Sequence, residues 1–281
     1  MKHLQTVSTG RKALEFLTPG ANLAVYGISS KGLFLDTDKD WIIFLSRESF
    51  RGPLTINLAG NLSLMDHFRQ GDPILVDGNH LVFPRKGTSI QLTGADVWDP
   101  PSAPDPVSAA SPEKIASILS TFKDPLLEAI LEPPSHSTQV VNRIDRRILD
   151  LVQAIQGGTD DQILEIAAAL LGMGAGLTPE GDDFLIGLCL SKARMSSPIT
   201  WDQVLSDRST RKTTRLSANL IEVATHGWAD ERLVTAHDTL FQGTEEAATA
   251  VNNLLGWGNT SGRMALAGIT AGIVYFLREQ D

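Results

Sequence analysis

Short apolar runs separated by turn-forming residues fill the N-terminal third of the chain, residues 1–99. Each run is only a few residues long, which is typical of half-buried strands rather than of helices. The triplet Asp77-Gly78-Asn79 lies between two of these runs and predicts a hairpin. Because the runs follow one another closely, we expect a barrel or a sandwich rather than βαβ units. The predicted strands cover residues 23–28, 33–36, 41–45, 54–58, 74–76, 81–83 and 90–92.

The hydrophobic pattern changes after a proline-rich segment. Its sequence, DPPSAPDPVSAASP over residues 99–112, suits neither a sheet nor the interior of a helix. Beyond it, apolar positions recur with the 3.6-residue period of helices. We therefore predict an α+β fold with a β-rich barrel or sandwich domain (1–99), a proline-rich linker (100–112) and a mostly α-helical domain (113–281). The predicted helices cover residues 112–122, 143–156, 160–171, 179–194, 213–226, 245–255 and 261–278.

The net charge, the cysteine content and the length of the apolar runs limit which ligands and partners the protein can have. The formal charge of −9 over 281 residues argues against nucleic acid, which needs a basic surface, although local amides can still hold a small anion. The single cysteine, Cys189, predicts neither a disulfide framework nor a cysteine-based zinc site. Residues 264–277 form the longest apolar run, which is too short to span a bilayer, and residues 1–20 lack the apolar core of a secretion signal. We therefore expect a soluble cytoplasmic protein with no membrane partner.

The stretch GMGAGLTPEGDDFLIG, residues 172–187, carries the strongest functional signal. Its alternating glycines can adopt positive φ, so that several backbone N–H groups can point into one concavity. Thr178 and Pro179 follow and predict a helix start with Thr178 as the N-cap. A glycine loop before a helix N-terminus is a typical anion site. The candidate substrate-binding residues of this block are Gly172, Gly174, Gly176, Thr178 and Gly181.

Two adjacent carboxylates, Asp182 and Asp183, come next, in the first turn of the predicted helix. They would repel a phosphate unless a divalent metal or an N–H group of the substrate lies between them and the anion. We therefore consider both residues as catalytic, and as candidate ligands of Mg²⁺, the one cofactor that the pattern suggests. The alternative is that both acids only complement the helix dipole. The spacing matches neither a P-loop nor a dinucleotide-binding fingerprint.

Two further blocks place hydroxyl groups or glycines at predicted helix starts. RKTTRLS, residues 211–217, brings three hydroxyls to one helix face, and GWGNTSG, residues 256–262, repeats the order of glycine turn, capping residues and helix. We expect the helix starts of all three blocks to surround one cavity, where their partial positive charges add. The alternative is three separate caps. The substrate-binding candidates of these two blocks are Thr213, Thr214, Ser217, Asn259, Thr260 and Ser261.

Together the three blocks resemble the AllH-type subunit of oxamate carbamoyltransferase, a family long catalogued as a domain of unknown function. The resemblance rests on G-x-G-x-G-L-T-P-x-G-D-D-F-x-x-G over residues 172–187, on T-T-R-L-S over residues 213–217, and on residues 258–268. It implies a subunit that works with two others in bacterial allantoin and purine-nitrogen breakdown. In one respect the chain departs from the family. Asn259 and Met264 stand where the family's Gly-His-[ST]-Ser-Gly-x-Asp block has histidine and aspartate.

The reaction implied by the resemblance interconverts oxalurate plus phosphate with oxamate plus carbamoyl phosphate. We therefore expect a carbamoyltransferase subunit that binds a small anion such as carbamoyl phosphate or oxamate and assembles with other subunits. Because no nucleophile–base pair is evident, positioning and electrostatic stabilisation are favoured over covalent catalysis. One alternative is a non-catalytic small-molecule-binding or assembly subunit, which the residues at 259 and 264 favour. A third reading is a Mg²⁺-dependent phosphotransferase that uses the two aspartates.

Overall fold

The computed structural model describes residues 2–59, 68–132, 142–196 and 201–279. Contacts within the chain divide it into two compact units, Met1–Pro101 and Ser102–Asp281. The first unit is built mainly of strands and the second of helices, so the predicted α+β fold class is confirmed. The predicted linker over residues 100–112 stays a prediction.

The strands of the first unit close into a barrel, which is the first of the two predicted β architectures. Among the described residues, the order around the barrel is β5-β4-β3-β2-β6-β7-β8-β1, and β1 pairs with β5 to complete the ring. Closure removes the free strand edges that an open sheet would present. The strands are β1 Lys2–Gly10, β2 Asn22–Ser29, β3 Gly32–Thr37, β4 Ile42–Ser46, β5 Thr55–Leu58, β6 Pro73–Asp77, β7 His80–Phe83, β8 Thr88–Gln91 and β9 Asp96–Trp98.

Strand β1 pairs with three other strands of the barrel, although its sequence lacks the apolar alternation of a strand. Along one edge its first half runs parallel to β8 and its last residues run parallel to β9, while its other edge pairs with β5. Thr6 and Ser8 of β1 are buried, and the Ser8 hydroxyl donates to Asn57 Oδ1 at 2.7 Å. These buried polar side chains hide the apolar alternation that marks the other strands, so β1 is absent from the predicted set. Strand β9 is also absent from that set, because it is only three residues long and two of them are exposed.

The predicted hairpin is confirmed. Strands β6 and β7 pair antiparallel with Asp77 opposite His80, and Gly78 takes the positive φ of 55° that the turn requires.

The second unit contains ten helices among its described residues, and each predicted helix is present within a few residues of its expected bounds. The four-residue helix α1 belongs to the first unit. Helices α3, α7 and α9 are additional. In α9, the buried Arg232 and His237 interrupt the apolar spacing. The helices are α1 Arg11–Leu14, α2 Pro112–Ser120, α3 Pro125–Leu131, α4 Arg143–Gly157, α5 Asp160–Leu170, α6 Glu180–Arg194, α7 Trp201–Lys212, α8 Arg215–Thr225, α9 Glu231–Gln242, α10 Ala247–Leu255 and α11 Ser261–Glu279.

Helix α6 forms the centre of the helical unit. Residues 181–191 are all buried, which is the pattern of a helix surrounded by protein rather than of an amphipathic surface helix. Helix α11 lies directly against it. A Cβ atom added at Gly187 would lie 2.1 Å from the Ala265 carbonyl oxygen, and one at Gly268 would lie 2.0 Å from the Phe184 carbonyl oxygen. Glycine at both positions therefore lets the two backbones touch. Within the described residues, none of the helices combines the length and apolar content needed to cross a bilayer.

The contact between α6 and α11 gives a first test. Replacing Gly268 with alanine puts a Cβ atom into the space of the Phe184 carbonyl oxygen, so the helices must move apart. We expect the free energy of unfolding to fall by about 1 to 3 kcal/mol. Thermal unfolding followed by circular dichroism measures this as a drop of about 2 to 4 °C in Tm per kcal/mol.

The matched control is Gly157→Ala at the end of α4, where an added Cβ atom meets no heavy atom within 4 Å. We expect its Tm to stay the same or to rise slightly, because alanine restricts the unfolded chain more than glycine does. Equal melting temperatures for the two variants would contradict the close contact of α6 and α11.

Candidate functional site

A loop of irregular backbone, residues 171–179, joins α5 to α6, as the glycine spacing predicts. Gly172, Gly174 and Gly176 have φ angles of 73°, 115° and 96°, which side-chain-bearing residues rarely adopt. At Gly172 a Cβ atom would also lie 2.6 Å from the Lys212 carbonyl oxygen. The conformation of this loop therefore depends on glycine, and its first glycine is held against the end of α7.

The backbone N–H groups of the loop are available to a ligand. Residues 174–177 are exposed, and the N–H groups of residues 174–178 find no hydrogen-bond acceptor among the described parts of the chain. Successive amides in a glycine-rich loop that leads into a helix form the kind of concavity that binds anions.

Helix α6 begins one step later than predicted, and the cap assignment is wrong. The N-cap residue is Pro179, which makes no side-chain cap bond, and the helix begins at Glu180. The Pro179 carbonyl oxygen accepts the first helical bonds, from the N–H groups of Asp182 and Asp183. The Thr178 hydroxyl is turned away to another helix, where its oxygen lies 3.3 Å from Ser261 Oγ.

Asp182 is fully buried, and its carboxylate accepts hydrogen bonds from the glycine loop and from Thr213. Oδ1 accepts the Gly172 N–H at 2.8 Å, and Oδ2 accepts a hydrogen bond from the Thr213 hydroxyl. Burial raises the pKa of Asp182, while these hydrogen bonds and the nearby Ser217 hydroxyl lower it. The carboxylate thereby joins the glycine loop to the junction of α7 and α8.

Asp183 is also fully buried, but neither of its carboxyl oxygens has a hydrogen-bond partner of ordinary geometry. Burial raises its pKa to about 8, and the negative charges of Asp182 and Glu180 act in the same direction. The hydroxyls of Ser261 and Thr178 face the carboxyl group and lower the pKa in part. With this pKa, Asp183 is a neutral carboxylic acid at neutral pH, and it has one O–H donor and one carbonyl acceptor.

The starts of α6, α8 and α11 meet at residues 177 and 178. Thr214 is the N-cap of α8, accepts the Ser217 N–H at 3.1 Å, and donates its own hydroxyl to the Leu177 carbonyl oxygen at 2.6 Å. The contact between the Thr178 and Ser261 hydroxyls brings in the start of α11. The three sequence blocks therefore lie together, as expected. Their role in binding a substrate stays a prediction.

Contacts at the far ends show that these three helices run in the same direction. Arg194, the last residue of α6, donates from its Nη1 atom to the carbonyl oxygen of Gly227, just after α8 ends. Along α11, a Cβ atom at Gly272 would lie 2.5 Å from Ser191 Cβ of α6. In parallel helices the partial positive charges of the N-termini lie side by side and repel one another. Acidic side chains or a bound anion at these N-termini reduce that repulsion.

The remaining predicted site residues have other surroundings. Gly181 is buried, and its Cβ would lie 2.2 Å from the Leu170 carbonyl oxygen, so this glycine permits close packing. Asn259 and Thr260 are exposed in the turn before α11. Met264 is 2% exposed within the apolar core, so the position where the family has aspartate is here a core position.

Binding of Mg²⁺ by Asp182 and Asp183 stays a prediction. Neighbouring residues of a helix point in different directions, and the oxygens of Asp182 already accept two hydrogen bonds. Mg²⁺ binds ionised carboxylates, so it would have to displace the proton that burial favours on Asp183. Among the described residues, no group of three or more His, Cys, Asp or Glu side chains is placed to hold a metal ion.

One residue at the site carries no signal in the sequence pattern. Arg263, in the first turn of α11, pairs with Asp124 through Nε at 2.6 Å and lies 3.5 Å from Asp145. Asp124 is itself the N-cap of α3. Arg263 therefore fixes the start of α11 against α3 and α4, although its partners are remote in sequence.

The structure thus defines an α+β protein whose helical unit gathers three helix N-termini and a glycine loop around two buried acids. Residues 170–273 of the chain match the family model described as oxamate carbamoyltransferase subunit AllH. The matched stretch contains the glycine loop, both acids, the junction of α7 and α8, and the start of α11. The resemblance to the AllH-type subunit is therefore confirmed over these residues. No curated protein and no solved structure matches the chain.

The burial of Asp183 makes the stability of the protein depend on pH. Its pKa is about 8 in the folded chain against an ordinary value of 3.8, so between these values the folded state keeps a proton that the unfolded state releases. We therefore expect the free energy of unfolding to fall as the pH rises from about 4 to about 8, by up to about 1.4 kcal/mol per pH unit. Denaturant unfolding at several pH values measures this slope.

Asp183→Asn supplies the comparison, because asparagine has the same shape and does not ionise. The raised pKa of Asp182 acts in both proteins, so the difference between wild type and variant isolates Asp183. We expect the wild type to lose stability relative to the variant across this pH range. A difference that stays constant with pH would show that Asp183 is ionised in the folded chain.

Proposed function

We propose that this chain is a working subunit of an oxamate carbamoyltransferase, and that its helical unit binds an anionic substrate where α6, α8 and α11 begin. The observation that carries the proposal is the family match over residues 170–273, which spans every element that builds the site. The geometry supports it, since parallel helix N-termini and free loop amides favour a negatively charged ligand.

The proposed reaction moves a carbamoyl group between two anions. A phosphate oxygen attacks the ureido carbonyl carbon of oxalurate, a C–O bond forms, and the C–N bond to the departing oxamate breaks. The oxamate nitrogen takes up the proton that the hydrogen phosphate loses, so atoms and charge balance. Negative charge grows on the carbonyl oxygen during the attack, and fixed N–H and O–H donors stabilise such charge without the formation of a covalent enzyme intermediate.

The site residues form two groups, according to whether their polar groups face the loop surface and the junction of helix starts or are bonded inside the protein. Some have donors that are turned to the loop surface or to the junction of helix starts, and we propose that these contact the substrate. They are Gly174, Gly176, Thr178, Asn259, Thr260 and Ser261, together with Asp183. Others bond or pack within the protein, and we propose that they position the first group. They are Gly172, Gly181, Asp182, Thr213, Thr214 and Ser217.

The helix ends supply the positive potential that an acidic protein otherwise lacks. Each helix N-terminus corresponds to roughly half a positive charge, so three that point to one place oppose the negative charges of Glu180 and Asp182 in the first turn of α6 as well as the charge of a phosphate. The formal charge of the chain is −9, and the nearby Arg263 is already paired with Asp124. In this proposal, backbone dipoles supply the positive potential that arginine side chains supply in other phosphate-binding sites.

A second candidate function is supported by the departures at two positions. Met264 lies in the core and Asn259 is exposed, so this chain lacks an acid and a histidine that the family places beside Ser261. A non-catalytic subunit that binds substrate or holds the assembly together, with the chemistry on partner chains, would have this composition. We propose other carbamoyltransferase subunits as partners in either case, with the assembly in the cytoplasm.

The catalytic proposal is tested by removing the two hydroxyls that join α6 to α11. We expect Ser261→Ala and Thr178→Val each to lower kcat/KM for phosphate-dependent cleavage of oxalurate by about 10- to 100-fold, which corresponds to one lost hydrogen bond to a charged group. The assay uses the chain together with the proposed partner subunits.

Ser120→Ala is the control, because this exposed hydroxyl at the end of α2 bonds only to the Ser117 carbonyl oxygen. Its kcat/KM should equal that of the wild type. If both site variants keep full activity in the assembly while their Tm is unchanged, the substrate is bound elsewhere and the non-catalytic function is favoured.

A further inference from the structure

We propose that Asp183 is the specificity-determining residue of this site, and that its buried carboxylic acid group recognises the primary amide end of the substrate while the helix N-termini hold the anionic end. The inference deepens the proposed function and rests on it. Oxamate, oxalurate and carbamoyl phosphate all combine an anionic group with a terminal carbonyl-NH₂ group, so a single residue that binds the amide would serve every ligand of the reaction except phosphate itself.

The first argument is that Asp183 is left unsatisfied. Both of its oxygens are buried and neither has a hydrogen bond of ordinary geometry, although the hydroxyls of Ser261 and Thr178 face the group. The oxygens of the adjacent Asp182, in contrast, accept bonds from Gly172 and Thr213. Buried polar groups in folded proteins are nearly always paired, because an unpaired group forfeits its hydration. A buried group without a well-formed hydrogen bond inside the protein is therefore a group that a ligand can pair.

The second argument is position. The hydroxyls closest to the Asp183 carboxyl group belong to Thr178 and Ser261, and both residues are partly exposed. Their oxygens are 3.3 Å apart, a long separation for hydroxyl groups, so the contact between them is weak. A ligand would reach Asp183 by displacing this contact, at the point where α6 and α11 begin.

The third argument is chemical complementarity. A neutral carboxylic acid has one O–H donor and one carbonyl acceptor side by side, and a primary amide presents the matching acceptor and donor. The two groups form a pair of hydrogen bonds in one ring. A carboxylate in place of the amide has no N–H to give, so it would leave the Asp183 carbonyl oxygen facing a negative oxygen. Such an unpaired polar contact gives strong discrimination.

The surrounding charges keep Asp183 neutral. The nearest are Glu180 and Asp182 on its own helix, and both disfavour a further negative charge. The positive groups on the elements packed around α6 are not among the charges that shift the pKa of Asp183. These are Arg263 of α11, paired with Asp124 and Asp145; Lys212 of α7, whose ammonium group donates to the Ala168 carbonyl oxygen; Arg215 in the first turn of α8; and the Arg194–Asp238–His237 cluster, about 16 Å along α6.

The test compares oxamate with oxalate, which has a carboxylate in place of the amide. Isothermal titration of the full chain should show that the wild type binds oxamate about tenfold or more tightly than oxalate. Asp183→Asn should keep this preference, because an asparagine amide offers the same donor and acceptor. Asp183→Leu, which fills the buried position without a polar atom, should bind the two ligands equally. Circular dichroism checks that both variants fold.

The pH dependence gives a second readout that packing alone would not produce. Oxamate binding by the wild type should weaken above about pH 8, where Asp183 ionises, and Asp183→Asn should show no such loss. Asp150→Asn, an exchange of the same kind on the exposed side of α4, is the control and should behave as the wild type does.

The possible failures are distinct. Equal affinity of the wild type for oxamate and oxalate, or a preference that survives in Asp183→Leu, would overturn the role of Asp183 and leave the anion site in place. Absence of binding of both ligands to the wild type would overturn the site itself, and the proposed function with it.

Discussion

The close contact of α6 and α11 is the constraint on which the rest of the helical unit depends. Glycines at positions 187 and 268 let the two backbones touch, and no other residue fits because a Cβ atom would enter a carbonyl oxygen of the opposite helix. The two helices run in the same direction, so their N-termini come to lie side by side. The contact between Thr178 and Ser261, and hence the candidate site, is a consequence of that packing.

The same packing gives two neighbouring acids different chemistry. Asp182 faces the glycine loop and the end of α7, where an amide and a hydroxyl donate to it. Asp183 faces the start of α11 and receives no completed hydrogen bond, so burial raises its pKa to about 8. One acid thus holds the loop, and the other is left as a neutral group beside three helix N-termini. In a chain with a formal charge of −9, a neutral Asp183 beside these helix N-termini favours the anion site that we propose.

Not every strand of the barrel in the first unit can be predicted from the sequence. Strands with apolar inward positions, such as β3 with the buried Leu33 and Leu35, are visible from their alternation. Strand β1 is not, because its inward positions include Ser8, whose hydroxyl is satisfied by Asn57 of a strand distant in sequence. In the sequence, a buried polar residue such as Ser8 cannot be told from a surface residue, because its partner Asn57 is distant along the chain. The pairing of β1 with β5, which closes the barrel, is therefore not predicted.

The sequence by itself determined the fold class, most helices and strands, the glycine loop, and the three blocks that resemble the AllH-type subunit. These features depend on local preferences: periodicity, turn residues and the conformational freedom of glycine. Only the tertiary structure decided that Thr178 turns to Ser261 instead of capping α6, that Gly181 is a packing residue, and that Asp182 and Asp183 differ. These outcomes depend on which groups meet across helices, and burial and hydrogen-bond partners are set by contacts between residues far apart along the chain.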